Sequence, residues 1–190
     1  MRHIVTLTGP SGIGKSYIKR KAKKKFLLKE PPIYTTRPIR DEEESSERIT
    51  IREEEFEVLE KNQEFLFVNN LFGYRYGLKS KDIYESHEDL ILELYVDNTK
   101  IFRKLIPDAY MIAMIPSSIN FLEKRLRKRG DDARTISKRL KHATKEVKKI
   151  IEIYEEGIFD LLYVIDETNE RNAEFDILNY IKKYLALYRK

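Results

Sequence analysis

Apolar residues are concentrated in four short runs along the chain. These runs cover residues 3–8, 90–96, 110–115 and 161–165, and β-branched side chains recur in them. Near-continuous apolar runs of this length are typical of strands that a parallel sheet buries on both faces. Each run is therefore predicted to be a strand of one buried sheet.

Much of the chain between these runs has helical periodicity. From Ala133 to Gly157 an apolar side chain recurs every three or four residues, which predicts one long amphipathic helix. The predicted buried positions are Ile136, Leu140, Ala143, Val147, Ile150 and Tyr154. Ser118 is in position to cap an earlier helix that Gly130 ends. Strands that alternate with helices predict an α/β fold with a doubly wound parallel sheet.

The middle of the chain departs from this alternation. Pro31 and Pro32 interrupt regular structure after the first helix, and residues 52–61 have the spacing of a short helix. Residues 65–68 follow as a short predicted strand. Residues 33–86 are therefore predicted to be an appendage of the sheet and not one of its repeating units.

Length and composition favour one domain. The chain has 190 residues, contains no cysteine and has no Pro/Gly/Ser-rich linker, which fits a single core in a reducing compartment. No run approaches the roughly 20 apolar residues of a membrane span. A cytoplasmic location without membrane contact is therefore expected.

Charge and histidine content add little specific chemistry. The net charge is +5, and the basic segment KRKAKKK at residues 19–25 is interpreted as a solvated helix face. No RNA-binding signature accompanies this segment, so a nucleic-acid partner is not expected. His3, His87 and His142 lack metal-ligand spacing, and each is interpreted as a surface or packing residue.

One short stretch carries a specific chemical signal. Residues 9–16, GPSGIGKS, match the phosphate-loop pattern GxxxxGK[ST] between a predicted strand and a segment of helical character. Glycines let successive backbone N–H groups converge on phosphate oxygens, and the helix N-terminus adds its positive dipole. Lys15 is placed to reach the β- and γ-phosphates of ATP, and the Ser16 hydroxyl to bind Mg²⁺. A purely steric glycine turn accounts for neither side chain.

Further motifs follow in order along nearly the whole chain. They are TTRPIR at 35–40, FGYRYG at 72–77, LELYVD at 92–97, IPSS at 115–118 and RLRKRGDDARTISKRL at 125–140. In this order they resemble the motifs TTRxPRxGE, GxYYG, LDIDxQG, PPS and RLxxRGxxxxxxIxxRL of the guanylate kinase family of nucleoside monophosphate kinases. Many NTPases share the phosphate loop, whereas the ordered set is specific to this family.

The resemblance implies the fold of a P-loop nucleoside monophosphate kinase in a single domain, residues 1–190. The implied core consists of residues 1–32, 87–124 and 141–190. Residues 33–86 are implied to bind the phosphoryl acceptor, and residues 125–140 to form an arginine-rich lid over ATP. ATP is the implied cosubstrate and Mg²⁺ the cofactor.

The resemblance also implies roles for individual residues. Phosphoryl transfer needs the acceptor phosphate held in line and the charge of the transferring group neutralised. The implied catalytic residues are Lys15, Arg37, Arg40, Arg129 and Arg139. The implied ATP-binding residues are Gly9, Pro10, Ser11, Gly12, Ile13, Gly14, Lys15, Ser16 and Arg125. The implied acceptor-binding residues are Arg37, Arg40, Tyr76, Glu93, Tyr95 and Phe67, and the implied ligands of Mg²⁺ or its waters are Ser16 and Glu93.

Four positions depart from the family pattern. The places of the polar groups that read guanine in the family hold Phe67, Leu78, Ile33 and Tyr95. Because buried polar groups provide base discrimination, their replacement predicts weaker or different guanine selection. Tyr95 or Phe67 is instead suited to stack on a ring.

The predicted function is ATP-dependent transfer of the γ-phosphoryl group to a nucleoside monophosphate, GMP or dGMP by family membership. One alternative is the same transfer to another small phosphorylated acceptor, such as a different nucleotide or a sugar phosphate. A second alternative is a non-catalytic module that binds phosphorylated peptides. The complete phosphate loop and the lid arginines argue against this last alternative, because a scaffold needs neither.

Overall fold

A computed structural model of the chain describes residues 2–38, 48–71 and 73–187. The chain forms two compact units, of which the smaller is Lys29–Leu90 and the larger contains the chain on either side of it. The predicted acceptor-binding region, residues 33–86, falls inside the smaller unit. The division into core, acceptor region and lid stays a prediction.

The described residues form eight strands and seven helices. In the first half of the chain these are β1 (Ile4–Thr8), α1 (Lys15–Phe26), β2 (Ile33–Thr35), β3 (Arg48–Thr50), α2 (Glu53–Lys61), β4 (Phe65–Leu71), β5 (Tyr74–Lys79), α3 (Ser80–Tyr84) and β6 (Leu90–Glu93). In the second half they are α4 (Thr99–Leu105), β7 (Tyr110–Pro116), α5 (Ile119–Lys128), α6 (Ala133–Glu155), β8 (Leu161–Ile165) and α7 (Ala173–Leu187). In the described part of the chain, no helix combines the length and apolarity needed to cross a bilayer.

The larger unit is built on a sheet with the strand order β6-β1-β7-β8. Strand β1 pairs in parallel with β7, and β7 pairs in parallel with β8. The four predicted strands are confirmed, except that the run 90–96 is a strand only as far as Glu93. A short 3₁₀ helix, Val96–Asn98, follows and redirects the chain.

Helices α5 and α6 pack together through the predicted apolar stripes. Ser118 caps α5, because its side chain accepts a hydrogen bond from the Phe121 N–H at 3.1 Å. The long predicted helix is confirmed as α6, but Tyr154 is 40% exposed and Ile153 is buried instead. A straight helix has 3.6 residues per turn, so a heptad-like apolar stripe drifts around it and the contact position moves to a neighbouring residue.

The smaller unit has a sheet with the strand order β3-β2-β5-β4. Helix α2 covers one face, where Phe56 is fully buried and its ring lies 4.6 Å from that of Phe65. Strand residues alternate between the two faces of a sheet, and partners in antiparallel pairs share a face. The residues that share the face opposite α2, the distal face, include Ile33, Thr35, Phe67, Asn69, Tyr76 and Leu78.

Candidate functional site

The phosphate loop connects the buried strand β1 to helix α1 and is held by close packing. Gly9 has a φ of 154°, and a Cβ atom there would lie 2.1 Å from the Met114 carbonyl oxygen of β7. No other residue fits this position. Ile13 is 1% exposed and inserts into the core, and Gly14 precedes α1 with a φ of 109°. The backbone of the loop is thus shaped by the sheet beneath it.

The ammonium group of Lys15 lies against the loop itself. Its Nζ donates hydrogen bonds to the carbonyl oxygens of Gly9, at 2.5 Å, and Pro10, at 3.2 Å. The same Nζ is 3.9 Å from Oε2 of Glu93. A positive charge is therefore held at the start of α1, where the helix dipole also favours anions.

Glu93 is brought to the phosphate loop because β6 is the neighbour of β1 in the sheet. Ser16 Oγ donates a hydrogen bond to Glu93 Oε1 at 2.8 Å, and Lys19 Nζ is 3.2 Å from the same oxygen. Burial raises the pKa of Glu93, but the Lys19 and Lys15 ammonium groups and the Ser16 hydrogen bond outweigh it and lower the pKa to about 2. The carboxylate is therefore ionised at neutral pH.

Ser16 and Glu93 are the residues that would hold a magnesium ion, and their donor atoms fit it. A hydroxyl and a carboxylate oxygen are ligands that Mg²⁺ prefers. Within residues 2–38, 48–71 and 73–187, no three His, Cys, Asp or Glu side chains gather into a metal cage. This donor set suits an ion that takes most of its ligands from phosphate and water.

Arg125 is fixed beside the phosphate loop. The Leu126 side chain packs so closely on Gly12 that a Cβ atom at Gly12 would lie 2.6 Å from it, so α5 abuts the loop. Arg125 Nε donates to the Gly12 carbonyl oxygen at 3.1 Å, and its Nη1 donates to Glu170 Oε1 at 2.6 Å. The predicted ATP-binding arginine thus lies against the loop that it was expected to complement.

The other two arginines of the predicted lid meet at one carboxylate. Arg129 caps the end of α5, Arg139 lies on α6, and Asp131 lies in the turn between these helices. Asp131 Oδ1 accepts from Arg129 Nε at 3.1 Å, and Asp131 Oδ2 accepts from Arg139 Nη1 at 2.6 Å and also from Arg129 Nη2. The Asp131 carboxylate therefore links the two arginines.

Of the predicted acceptor residues of the smaller unit, Tyr76 lies in β5 and Arg37 lies just after β2. The Arg37 N–H donates to Thr35 Oγ1 at 3.1 Å, and the Arg37 carbonyl oxygen accepts from Thr50 Oγ1 at 3.0 Å. Arg37 is only 7% exposed. Tyr76 is the cross-strand partner of Thr35 on the distal face. Arg40 lies outside the described residues.

Of the four residues expected to replace guanine-reading groups, three lie in the smaller unit and one lies in the larger unit. Ile33 and Phe67 are both cross-strand partners of Leu78, so these three apolar side chains are neighbours on the distal face. Tyr95 belongs to the larger unit, where its hydroxyl lies 3.1 Å from His142 Nε2. Burial, together with the Asp97 and Glu146 carboxylates, raises the pKa of Tyr95 to about 12, so its hydroxyl stays protonated.

Two residues of the larger unit, Lys19 and His142, have contacts that local sequence patterns do not predict. Lys19 was grouped with a solvated basic run, which is wrong because it is 9% exposed and paired with Glu93. Its position one helical turn after Lys15 was the available signal. His142 contacts Tyr95 and also lies 3.5 Å from the buried Glu146, four residues on. Only the fold brings β6 next to these helix residues.

The fold and this geometry define a P-loop phosphotransferase. The guanylate kinase family model matches residues 1–181. The guanylate kinase of Synechococcus sp. (strain JA-3-3Ab) is 31% identical, with 93% of this chain and 82% of that protein covered. The guanylate kinase of Carboxydothermus hydrogenoformans is 32% identical, with 76% of this chain and 74% of that protein covered. The chain therefore belongs to the guanylate kinase family.

A solved structure agrees with this assignment at the level of the fold. The crystal structure of guanylate kinase from Anaplasma phagocytophilum superposes with a TM-score of 0.72 at 22% identity, covering 100% of this chain and 87% of that one. The resemblance inferred from the ordered motifs is thus confirmed. The protein is a nucleoside monophosphate kinase, a phosphotransferase that uses ATP and Mg²⁺.

Proposed function

We propose that this kinase transfers the γ-phosphoryl group of ATP to GMP. The observation that carries the proposal is the complete phosphate loop with Lys15 and Glu93, inside a chain that the guanylate kinase family model matches over residues 1–181. The relatives compared above are guanylate kinases by name. These comparisons give no support to a sugar phosphate or a phosphopeptide as the ligand.

On the ATP side, the loop and its charges hold the polyphosphate. The shaped backbone from Gly9 to Ser16 contributes N–H groups, Lys15 contributes a full positive charge, and Arg125 is fixed beside Gly12. Mg²⁺, when bound by Ser16 and Glu93, neutralises phosphate charge. Glu93 stays ionised for this purpose because its pKa is about 2.

Arg129 and Arg139 are proposed to act on the transferring phosphoryl group. Negative charge is spread over its three equatorial oxygens, and guanidinium groups match oxygens with several parallel hydrogen bonds. Both arginines flank the turn that joins α5 and α6. Their contribution is therefore electrostatic stabilisation in a position set before the reaction begins.

On the acceptor side, Arg37 and Tyr76 are proposed to hold the phosphate of GMP, together with Arg40. Hydrogen bonds to Thr35 and Thr50 fix the backbone of Arg37 on both sides, so the direction of its side chain is constrained. A fixed guanidinium orients a phosphate better than a flexible ammonium group does. In-line transfer requires this orientation of the acceptor.

The base is proposed to contact the distal face. Phe67 and Leu78 are apolar and are 7% and 5% exposed, so apolar contact is expected to contribute alongside the polar side chains of the same face. Discrimination between bases by apolar contact is worth about 10- to 200-fold, far less than a buried hydrogen-bond set provides.

A panel of acceptors tests the proposal. ATP, Mg²⁺ and one of GMP, dGMP, AMP, CMP, UMP or a sugar phosphate are supplied, and the release of ADP is measured, with Lys15→Ala as the inactive control. GMP or dGMP is expected to give the highest kcat/KM, with AMP lower by about 10- to 200-fold. A higher kcat/KM for any other acceptor contradicts the proposal. If no acceptor is turned over and the protein binds a phosphopeptide, the non-catalytic phosphopeptide-binding module is supported instead.

A further inference from the structure

The turn between α5 and α6 contains an ion triad whose carboxylate, that of Asp131, has no role in the proposed function. Both oxygens of the Asp131 carboxylate accept hydrogen bonds, from Arg129 at Oδ1 and from Arg129 and Arg139 at Oδ2. The side chains of Asp131 and Arg139 are 15% and 18% exposed, whereas that of Arg129 is 46% exposed. Two of the three members are therefore largely removed from water.

The triad leaves donors available on both arginines. A guanidinium has five N–H groups. Asp131 engages Nε and Nη2 of Arg129 along one edge of its guanidinium, and only Nη1 of Arg139. Among the described residues no other hydrogen bond to either guanidinium is present. Each arginine can thus keep its bond to Asp131 and still donate to phosphate.

Electrostatics gives the carboxylate a clear physical effect. Two guanidinium groups that both contact Oδ2 of Asp131 are near enough to repel each other, and the carboxylate compensates that repulsion. A free arginine side chain also loses rotamer entropy when it is held in one position. The Asp131 carboxylate, because it binds both arginines, reduces their mutual repulsion and their loss of rotamer entropy before a phosphoryl group is bound.

Asp131 is not required to build the turn. The neighbouring Asp132 caps α6, because its Oδ1 accepts from the Thr135 N–H at 2.9 Å. Gly130 supplies the left-handed backbone conformation with a φ of 87°. The hydrogen bonds of the Asp131 side chain go to the two arginines alone among the described residues. The Asp131 side chain therefore stabilises the positions of the two arginines and not the backbone of the turn.

We propose that Asp131 is a positioning residue that holds Arg129 and Arg139 as a pair for the transferring phosphoryl group. The inference rests on the proposed function, in which these two arginines act on that group. It adds a residue that acts through them and does not itself touch the substrate.

The test compares Asp131→Asn with Asp132→Asn as a matched control. Asn keeps the shape of Asp131 but removes its charge, so kcat is expected to fall about tenfold while KM for ATP does not rise. Loss of a negative charge favours ATP binding on electrostatic grounds alone, so a lower kcat reports lost positioning. Asp132→Asn keeps a good helix cap and is expected to retain kcat and the thermal midpoint of unfolding. Asp131→Glu, which restores the charge, is expected to recover part of the kcat.

A second set of variants separates this inference from the proposal beneath it. In an Arg129→Ala/Arg139→Ala background, Asp131→Asn is expected to change kcat no further, because it acts only through the arginines. An unchanged kcat in Asp131→Asn, or an equal fall in Asp132→Asn, overturns the inference alone when the arginine variants are impaired. If the arginine variants keep the wild-type kcat, the proposed role of the lid arginines is wrong and the inference falls with it.

Discussion

The phosphate loop and the distal face of the smaller sheet are built from different kinds of contact. At the loop, every placement is tight: Gly9 has no room for a Cβ atom beside Met114, and Glu93 is engaged by Ser16, Lys19 and Lys15. On the distal face, Ile33, Phe67 and Leu78 meet through ordinary cross-strand packing. Phosphate binding at the loop therefore depends on backbone shape and charge, whereas the proposed base binding on the distal face would depend on side chains that can be substituted without changing the strands.

The physical cause of this difference is the nature of the two ligands. A phosphate is bound by converging N–H groups and full charges, and displacing any of them weakens the whole arrangement. A base is a flat ring whose edge is read by a few side chains. Changing such a side chain alters selection while the strands and their hydrogen bonds remain, so the two regions are expected to respond differently to mutation.

The largest effect is expected at Lys15. Lys15→Ala removes the charge that the loop carbonyl oxygens hold in place, and kcat is expected to fall by on the order of 10²–10³ or more. Steady-state ADP release measures it, and circular dichroism checks the fold. Lys21→Ala is the control, because that lysine lies on the same helix but pairs with Glu174 at the surface. Near-wild-type turnover in Lys15→Ala would remove the basis of the phosphate-loop mechanism.

The next effect is expected at Arg37 in the smaller unit. Arg37→Ala removes the guanidinium assigned to the acceptor phosphate, so kcat/KM for GMP is expected to fall about 10²-fold while KM for ATP stays near its wild-type value. Arg37→Lys keeps the charge but not the planar fork, and an intermediate loss is expected. A rise in KM for ATP instead of KM for GMP would show that Arg37 binds ATP and not the acceptor. Unfolding free energies are measured alongside, because Arg37 is 7% exposed.

A moderate, pH-dependent effect is expected at Glu93. The pKa of Glu93 is lowered from 4.5 to about 2, so its ionic contacts stabilise the folded protein fully above about pH 4.5 and are lost as the pH falls towards 2. Glu93→Gln is expected to lower the free energy of unfolding by about 1–3 kcal/mol at neutral pH. The difference in unfolding free energy between Glu93→Gln and the wild type should decrease only below about pH 4.5. A difference in unfolding free energy that already decreases near pH 6 would contradict the low pKa of Glu93.

The smallest effect is expected at Tyr95. Tyr95→Phe removes the hydroxyl that lies 3.1 Å from His142 and keeps the ring, so a stability loss of about 0.5–1.5 kcal/mol is expected. If the ring stacks on the acceptor base, KM for GMP changes little in Tyr95→Phe and rises clearly in Tyr95→Ala. Equal KM values for GMP in both variants would exclude ring stacking as the role of Tyr95. Chemical denaturation and initial rates provide the two measurements.

Features that depend on short-range patterns are predictable from the sequence. The strand before the phosphate loop, the loop glycines and the long helix α6 all follow from short-range spacing, and the structure contains each of them. The family followed from the order of the motifs, and the family model matches residues 1–181. Such features can be predicted from the sequence because periodicity, capping and turn chemistry act between residues that are close in the chain.

The tertiary structure alone decided which distant residues meet. Lys19 was indistinguishable from its basic neighbours until the sheet order placed β6, and with it Glu93, beside β1. Strand register made Ile33, Phe67 and Leu78 neighbours. Packing of α6 against α5 gave Asp131 a second arginine partner, Arg139, eight residues along the chain. These contacts depend on sheet order, strand register and helix packing, which are set by the whole core and leave no trace in local spacing.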